Sequence, residues 1–342
     1  MSASSEALTG AIASARELVA AEAPDAATAA QGEAYVARVL TSQLAGGFLS
    51  HLLAENGFAR ALPTHGGPNP DYIMLHSGVS STHTYRVNGQ LNKSERVGIG
   101  LYRFDETGAI FEVGYAAFDR SNTGADGSFS LELSAEAHGP GTMAIAPEAR
   151  VMLVRILHLA VGEPPARLEL DGPALPPGLA LMTGSTDGAL TFAANGLIKT
   201  VEQFLEWTRL TSARPNWIGP APPPIAAAVR AEPETDYFLG YFDLADGEWL
   251  EVTMPEGLPG YWSLHAYNHW TEHLQTQGVH NRNASPAKDG RTRVRIGPTI
   301  PEGLSNRIDT LGNSRGMLIC RIIGAPGVAS PEARLMQPTK ES

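Results

Sequence analysis

Apolar residues recur along this chain in two rhythms. In the first sixty positions Val36, Val39, Leu40, Leu44, Phe48, Leu52 and Leu53 are spaced by three and four, the period of a helix with one apolar stripe. The stretch is rich in alanine and nearly free of β-branched runs. Asp25 is the expected N-cap, Asn56-Gly57 the expected C-terminal stop, and Gly46-Gly47 a candidate kink. From Leu62 to Pro70 the prolines and glycines cannot continue a helix, and the rhythm changes to short apolar runs separated by turn residues. Strands are predicted at Tyr72 to His76, His83 to Val87, Arg96 to Phe104, Ala109 to Tyr115, Phe129 to Leu133, Arg150 to His158 and Arg167 to Leu170.

Helical spacing returns once, in Phe192, Leu197, Ile198, Val201, Phe204, Leu205, Trp207 and Leu210, with Glu202 and Glu206 facing outward. A proline-rich stretch, Pro215 to Pro224, closes it, and a short helix around Ile225 to Ala231 follows. Strands resume at Tyr237 to Asp243, Trp249 to Met254, Tyr261 to Asn268, Thr292 to Ile296 and Met317 to Ile323. The expected fold is mainly β with α: antiparallel, jelly-roll-like β-sandwich units with an N-terminal helical segment and a helical insertion. The divisions are 1–60 for the helical segment, 61–183 for a first sandwich part, 184–235 for the insertion and linker, 236–326 for a second sandwich and 327–342 for a tail.

Composition narrows the function. Apolar residues at 43% and charged residues at 18% describe a chain that buries a core, and the 36 glycines and 25 prolines supply the turns of a β-protein. A net charge of -11 argues against a nucleic-acid partner. The basic run Arg291, Arg293, Arg295 alternates with Thr292 and Val294, which reads as the solvent face of a strand or, alternatively, an anion site. No stretch nears the roughly 20 apolar residues of a membrane span, and the N-terminus lacks the form of a secretory signal. A cytoplasmic location without a membrane partner is the expectation. Cys320, the one cysteine, lies in an apolar run and is read as a buried, inert thiol.

Several pieces of the chain resemble the uncharacterised DUF1214 family. They are Gly260-Tyr261-Trp262-Ser263-Leu264, the turn and strand Asp289 to Val294, and Asn306 to Asn313 leading into Gly316 to Arg321. Weaker matches are Pro70-Asp71-Tyr72, Tyr85 to Gly89 and Ala149 to Arg155. The resemblance implies β-sandwich units, often accompanied by a DUF1254 domain, and no settled reaction. Relatives commonly carry tryptophan and histidine where this chain has Arg307 and Asn313, and the histidines at 269 and 273 lie outside the family pattern.

Candidate chemistry concentrates between Tyr261 and Asn283. On an extended strand Tyr261, Ser263, His265, Tyr267 and His269 share one side, while Trp262, Leu264, Ala266 and Asn268 share the other. The second set is a core face; the first is either a polar sheet surface or a ligand-lining one. His269-Trp270-Thr271-Glu272-His273 matches the H-x-x-E-H spacing of a zinc protease class. Such a site needs a long buried helix, which this context does not offer, so the match is read as coincidence and no cofactor is predicted, zinc being the metal it would admit. As a strand, His265 and His269 would stand ~13 Å apart and could not share a metal.

A second polar group, Asn306, Asp309, Thr310, Arg315 and Arg321, is either a substrate-orienting set or a structural ion-pair cluster. A third, His83 and Tyr85, shares one strand face and joins the first only if the two sheets pack together. The expected activity is a cofactor-independent or metal-assisted hydrolase or lyase acting on a small hydroxylated or aromatic molecule. Its acid/base candidates are His265 and His269 with Asp309, and its substrate-binding candidates Tyr261, Tyr267, Trp270, Asn281, Asn306, Arg315, Arg321, His83 and Tyr85. The rival is a non-catalytic β-sandwich binding a carbohydrate or lipid-like ligand. A third expectation is an assembly protein, homo-oligomeric through the stripe from Val36 to Leu53. No serine-hydrolase elbow, Walker loop or dinucleotide fingerprint is present.

Overall fold

The alternation in the chain builds two sandwiches, and the helical spacing builds a separate layer that binds to the second. The structure, a computed structural model, describes residues 2–48, 54–60, 65–104, 110–173, 186–229, 234–325 and 327–337. The first sandwich pairs a six-stranded sheet with a four-stranded one. The larger contains β1 (Ala54–Glu55), β2 (Phe58–Ala59), β3 (Tyr72–Gly78), β5 (Arg96–Phe104), β6 (Ile110–Asp119) and β9 (Val151–Leu157), in the order β1-β2-β3-β9-β5-β6. The smaller runs β10 (Arg167–Asp171), β4 (Tyr85–Gln90), β7 (Ser128–Ser134), β8 (Thr142–Ala144). Val97, Ile99 and Leu101 of β5 enter the core beside Met152, Val154 and Ile156 of β9, each inward residue following the period of two.

The outward face of that larger sheet is unusual. Gly98 and Gly100 leave room for the rings of Tyr115 and Tyr102, whose hydroxyls lie where a Cβ would stand. Tyr102 then accepts a hydrogen bond from Arg155 Nη1 at 2.8 Å and is itself fully buried. Arginine is thereby held on a sheet face that a plain apolar alternation would have filled with aliphatics.

The second sandwich repeats the plan. A five-stranded sheet runs β11 (Trp217–Pro220), β12 (Thr235–Asp243), β18 (Arg315–Ile323), β14 (Trp262–Ala266), β15 (Val279–His280). Against it lies a four-stranded sheet, β17 (Arg307–Asp309), β16 (Arg293–Gly297), β13 (Trp249–Thr253), β19 (Glu332–Met336). Leu250, Val252, Leu264, Leu318, Cys320 and Ile322 fill the space between. The pairing of β12 with β18 extends over nine residues, from Thr235 opposite Ile323 to Asp243 opposite Arg315.

Helices α1 (Ala3–Glu22), α2 (Ala26–Phe48) and α3 (Thr186–Ser212) form their own layer, with α4 (Pro223–Val229) below. The stripe of α2 is covered within the chain: Tyr35, Val36 and Val39 pack with Ala15 and Val19 of α1 and Leu197, Val201 and Leu205 of α3. It therefore docks on helices of the chain itself. Leu52 and Leu53 lie outside the described residues. The opposite side of α3 sits on the outer face of the second sandwich, where Trp207 meets Ile225, Leu239, Tyr267, Met317 and Ile319.

Two boundaries differ from the sequence expectation. Asn56-Gly57 does not stop a helix: both residues have positive φ, 51° and 83°, and they turn the β1–β2 hairpin. That is the conformation a two-residue hairpin requires and that Asn-Gly supplies. Glu332–Met336, assigned to a tail, is instead an edge strand paired with β13. Its side chains are mostly exposed or half-buried, so it carries no run of core residues to mark it. Leu190 to Leu210, by contrast, falls within α3 as predicted.

Candidate functional site

The two sandwiches and α3 meet around a cleft of about 880 Å³. Its walls come from four places: Tyr72, Met74 and Arg155 on the outward face of the first sandwich, Tyr237 and Arg321 on that of the second, Phe204 and Trp207 of α3, and the loops at 65–70 and 273–277. The strand register explains why polar groups gather there. His280, Ser263, Arg321 and Tyr237 are consecutive partners across β15, β14, β18 and β12, so their side chains form one row on one face of the sheet. Burial of that row follows from α3 and the 65–70 loop lying over it, Gly67 so close that a Cβ there would stand 2.3 Å from Ile319 Cδ1.

Arg321 is 5% exposed. Its Nη1 donates to Tyr267 Oη at 3.1 Å, its Nη2 donates to the Gly67 carbonyl, and its guanidinium carbon lies 5.7 Å from the Tyr237 ring centre. Tyr267 Oη in turn donates to the Pro68 carbonyl at 2.7 Å. No carboxylate pairs with Arg321 among the described residues. His273, which forms a bridge with Tyr267, lines the cleft with its ring 5.7 Å from that of Tyr267 and 5.8 Å from that of His265. Burial, with His265 and Arg321 adding to it, pushes the His273 imidazole down to about 4. His65 on the opposite loop is likewise pushed down to about 4 by burial, against the pull of Glu272.

Behind the 69–70 loop lies a second group. Tyr261 Oη donates to Asp71 Oδ2 at 2.7 Å and accepts from Asn69 Nδ2 at 3.0 Å. His265 is fully buried with its Nε2 3.5 Å from Asp71 Oδ1, a long contact rather than a formed hydrogen bond. Complete burial lowers the His265 pKa, with Asp71 opposing, so the imidazole is neutral at neutral pH. Burial works to raise the Asp71 pKa, and its neighbours His265 and Tyr261 outweigh that, leaving it lowered and the carboxyl ionised.

No family model matches the chain, and no curated protein does. Among solved structures it is similar to an uncharacterised protein of Burkholderia cenocepacia, with a TM-score of 0.81 at 24% identity over 98% of this chain and 96% of that one. A protein of Vibrio parahaemolyticus is similar with a TM-score of 0.50 at 12% identity, covering 89% and 97% of the two chains. The likeness is one of fold.

Of the residues singled out from the sequence, Tyr261, His265, Tyr267 and Arg321 do share one face, and Trp262, Leu264 and Ala266 do point into the core. The others separate from them for identifiable reasons. His269 turns away, its Nδ1 2.6 Å from Tyr241 Oη and its carbonyl accepting from Thr208. Trp270 is 1% exposed in the helical layer, stacked on Tyr35 and donating through Nε1 to the Thr28 carbonyl. Asp309 is exposed and accepts from the Leu311 amide; it pairs with neither arginine. Arg315 instead bridges Asp243 and Asp25, at 2.9 and 2.8 Å. Asn306, with positive φ, ties Ser285 and the Arg293 carbonyl together. Asn281 is exposed. Tyr85 belongs to the core of the first sandwich and His83 is exposed beside it, so the packing that would have joined them to the 261–269 face does not occur.

The H-x-x-E-H segment is a turn, with Asn268 holding the Trp270 and Glu272 amides and Thr271 at positive φ. The side chains that the motif would need together, two ligand histidines and a glutamate, go three ways: His269 to Tyr241, Glu272 to the Arg38 fork at 2.6 Å for Nη2, and His273 to the cleft. Among the described residues no group of three or more His, Cys, Asp and Glu side chains is placed to hold a metal ion. Arg293 and Arg295 of the basic run pair with Glu251, and Arg295 is itself buried, so the run is not a solvent face along its whole length. Cys320 is buried, and burial pushes its thiol up to about 12.

Sequence reasoning missed Arg155, Phe204 as a wall, and the loop at 65–70. The one available signal was Gly66-Gly67-Pro68, a segment able to approach a sheet closely. His273 was noticed only through the metal motif.

Proposed function

We propose that this protein binds a small organic molecule in the junction cleft. The apolar wall of Phe204, Trp207 and Tyr237 would take the body of the molecule, and the polar end at His273, Thr276 and Arg321 would orient it. One observation carries this reading: His273 Nε2 and Thr276 Oγ1, both in the cleft lining, are buried with no hydrogen-bond partner among the described residues. A buried polar atom left unpaired costs about 1–3 kcal/mol, so two in one cleft favour a molecule that pairs with them.

The test is a ligand screen by thermal shift on the wild-type protein and on Ala228→Phe, which puts a ring into the cleft from α4. Hits should raise the wild-type melting temperature and leave the variant unmoved, with the two proteins melting alike when free. A screen whose hits stabilise both equally counts against the cleft.

A second reading, hydrolysis or elimination on the bound molecule, has its own support. His273 is a neutral imidazole in the cleft, in ring contact with His265, which lies beside the ionised Asp71. His273 Nδ1 accepts the Gln275 amide at 3.2 Å, so Nε2 carries the proton and can donate to an oxygen of the bound molecule as negative charge develops on it. In this reading His265 positions His273, and the DUF1214 resemblance supplies the fold without a reaction.

A further inference from the structure

The cleft's charge is one-sided in a chain whose net charge is -11. Arg60, Arg155 and Arg321 line it together with two histidines, and no aspartate or glutamate does among the described residues. The two acids that act on its histidines are already engaged. Asp71 takes the Tyr261 hydroxyl, and Glu272 takes both the Arg38 fork and the Asn268 amide. Arg321 is the decisive member. A guanidinium cannot shed its proton, so a buried one without a counter-ion stays a buried charge, and the tyrosine hydroxyl and carbonyl that touch it are neutral. Those contacts fix its plane and occupy two of its five N–H donors.

Resting on the cleft reading above, we infer that the molecule bound there is an organic carboxylate with an apolar body. Its carboxylate meets Arg321, and its body lies along Phe204 and Trp207. The guanidinium fork matches the two oxygens of a carboxylate. Arg155, anchored on Tyr102 from the other sandwich, adds positive potential across the opening. Thr276 Oγ1 is a further donor for a carboxylate oxygen. A phosphate ester would bring up to two charges and three acceptor oxygens, more than the Arg321 fork and the Thr276 hydroxyl would pair.

Two fluorescent probes that differ in charge test this: anilinonaphthalene sulfonate and its neutral counterpart N-phenyl-naphthylamine, titrated into the wild-type protein, Ala228→Phe and Arg321→Gln. The sulfonate probe should bind the wild type about tenfold or more tightly than the neutral one, a difference that Arg321→Gln abolishes and a charged hydrogen bond accounts for. Octanoate should displace it and octanamide should not. Equal binding of the two probes, both lost in Ala228→Phe, overturns the anion assignment and leaves the cleft reading standing. Probe binding indifferent to Ala228→Phe overturns both. Displacement by octyl phosphate at about a tenth of the octanoate concentration overturns the carboxylate in favour of a phosphate ester. Should Arg321→Gln fail to fold, the octanoate and octanamide comparison on wild type decides alone: equal displacement overturns the inference.

Discussion

Three histidines report on how burial is distributed. His76 is fully buried with both ring nitrogens unpaired among the described residues, and it, His65 and His273 are all pushed down to about 4 by burial. In the unfolded chain each takes up a proton near the ordinary 6.5. Between those two values the unfolded state holds more protons than the folded one, so stability must fall as the pH drops through that window and level off below it. Each tenfold difference in proton affinity is worth about 1.4 kcal/mol at most, less for the two partly exposed rings. The melting temperature should therefore decline steadily from neutral pH to about pH 4, and a flat profile across that range would contradict the burial of these rings. At this scale the sequence was informative where parity alone decides: Tyr261, His265 and Tyr267 lie on the expected face, whereas Arg321, read with the 306–315 group, joins them through its pairing with Ser263. It misjudged His269 and Trp270 because the chain leaves the strand after Ala266 and turns on Asn268, a change of direction that strand parity cannot register.

Among the elements, α3 connects the most. One side packs Leu197, Val201 and Leu205 against α1 and α2, and the other seats Trp207 on the second sandwich and lends Phe204 to the cleft. Leu197→Ala should cost about 2–5 kcal/mol, since the side chain is fully buried between three helices that leave little room to collapse. Because Leu197 points away from the cleft, the lowered urea midpoint should come with unchanged ligand affinity; a loss of affinity at equal folding would show that the helical layer also shapes the site. Helix and strand positions were largely readable because α3, β5, β12 and β18 carry long, regular patterns. Short paired strands such as β1, β8, β15 and β17 were not, since two or three residues hold no period.

Spacing of short strands gave the sandwich architecture of the whole molecule, while the way the two sandwiches meet was hidden. That junction depends on contacts between distant segments: Leu157, Tyr261 and Ile323 packed with Tyr72, and the rim ion pairs of Arg282 with Glu95 and Arg96 with Glu234. The second sandwich also depends on its cover. Without α3 and α4 it would expose Leu239, Tyr267, Met317 and Ile319 as one apolar patch. Residues 234–337 produced alone should accordingly elute from size exclusion as oligomers or aggregate, and a well-folded monomer would show that the face tolerates water.

The bond from Arg321 to Gly67 joins residues 254 positions apart. On a ribosome adding about 5–20 residues per second, the loop carrying Gly67 emerges tens of seconds before the arginine that completes the pocket. During vectorial synthesis the first sandwich can mature while the cleft does not yet exist. Nascent chains arrested before Arg321 should be blind to a molecule that binds the cleft, so occupancy of the cleft would mark a chain whose second sandwich has closed.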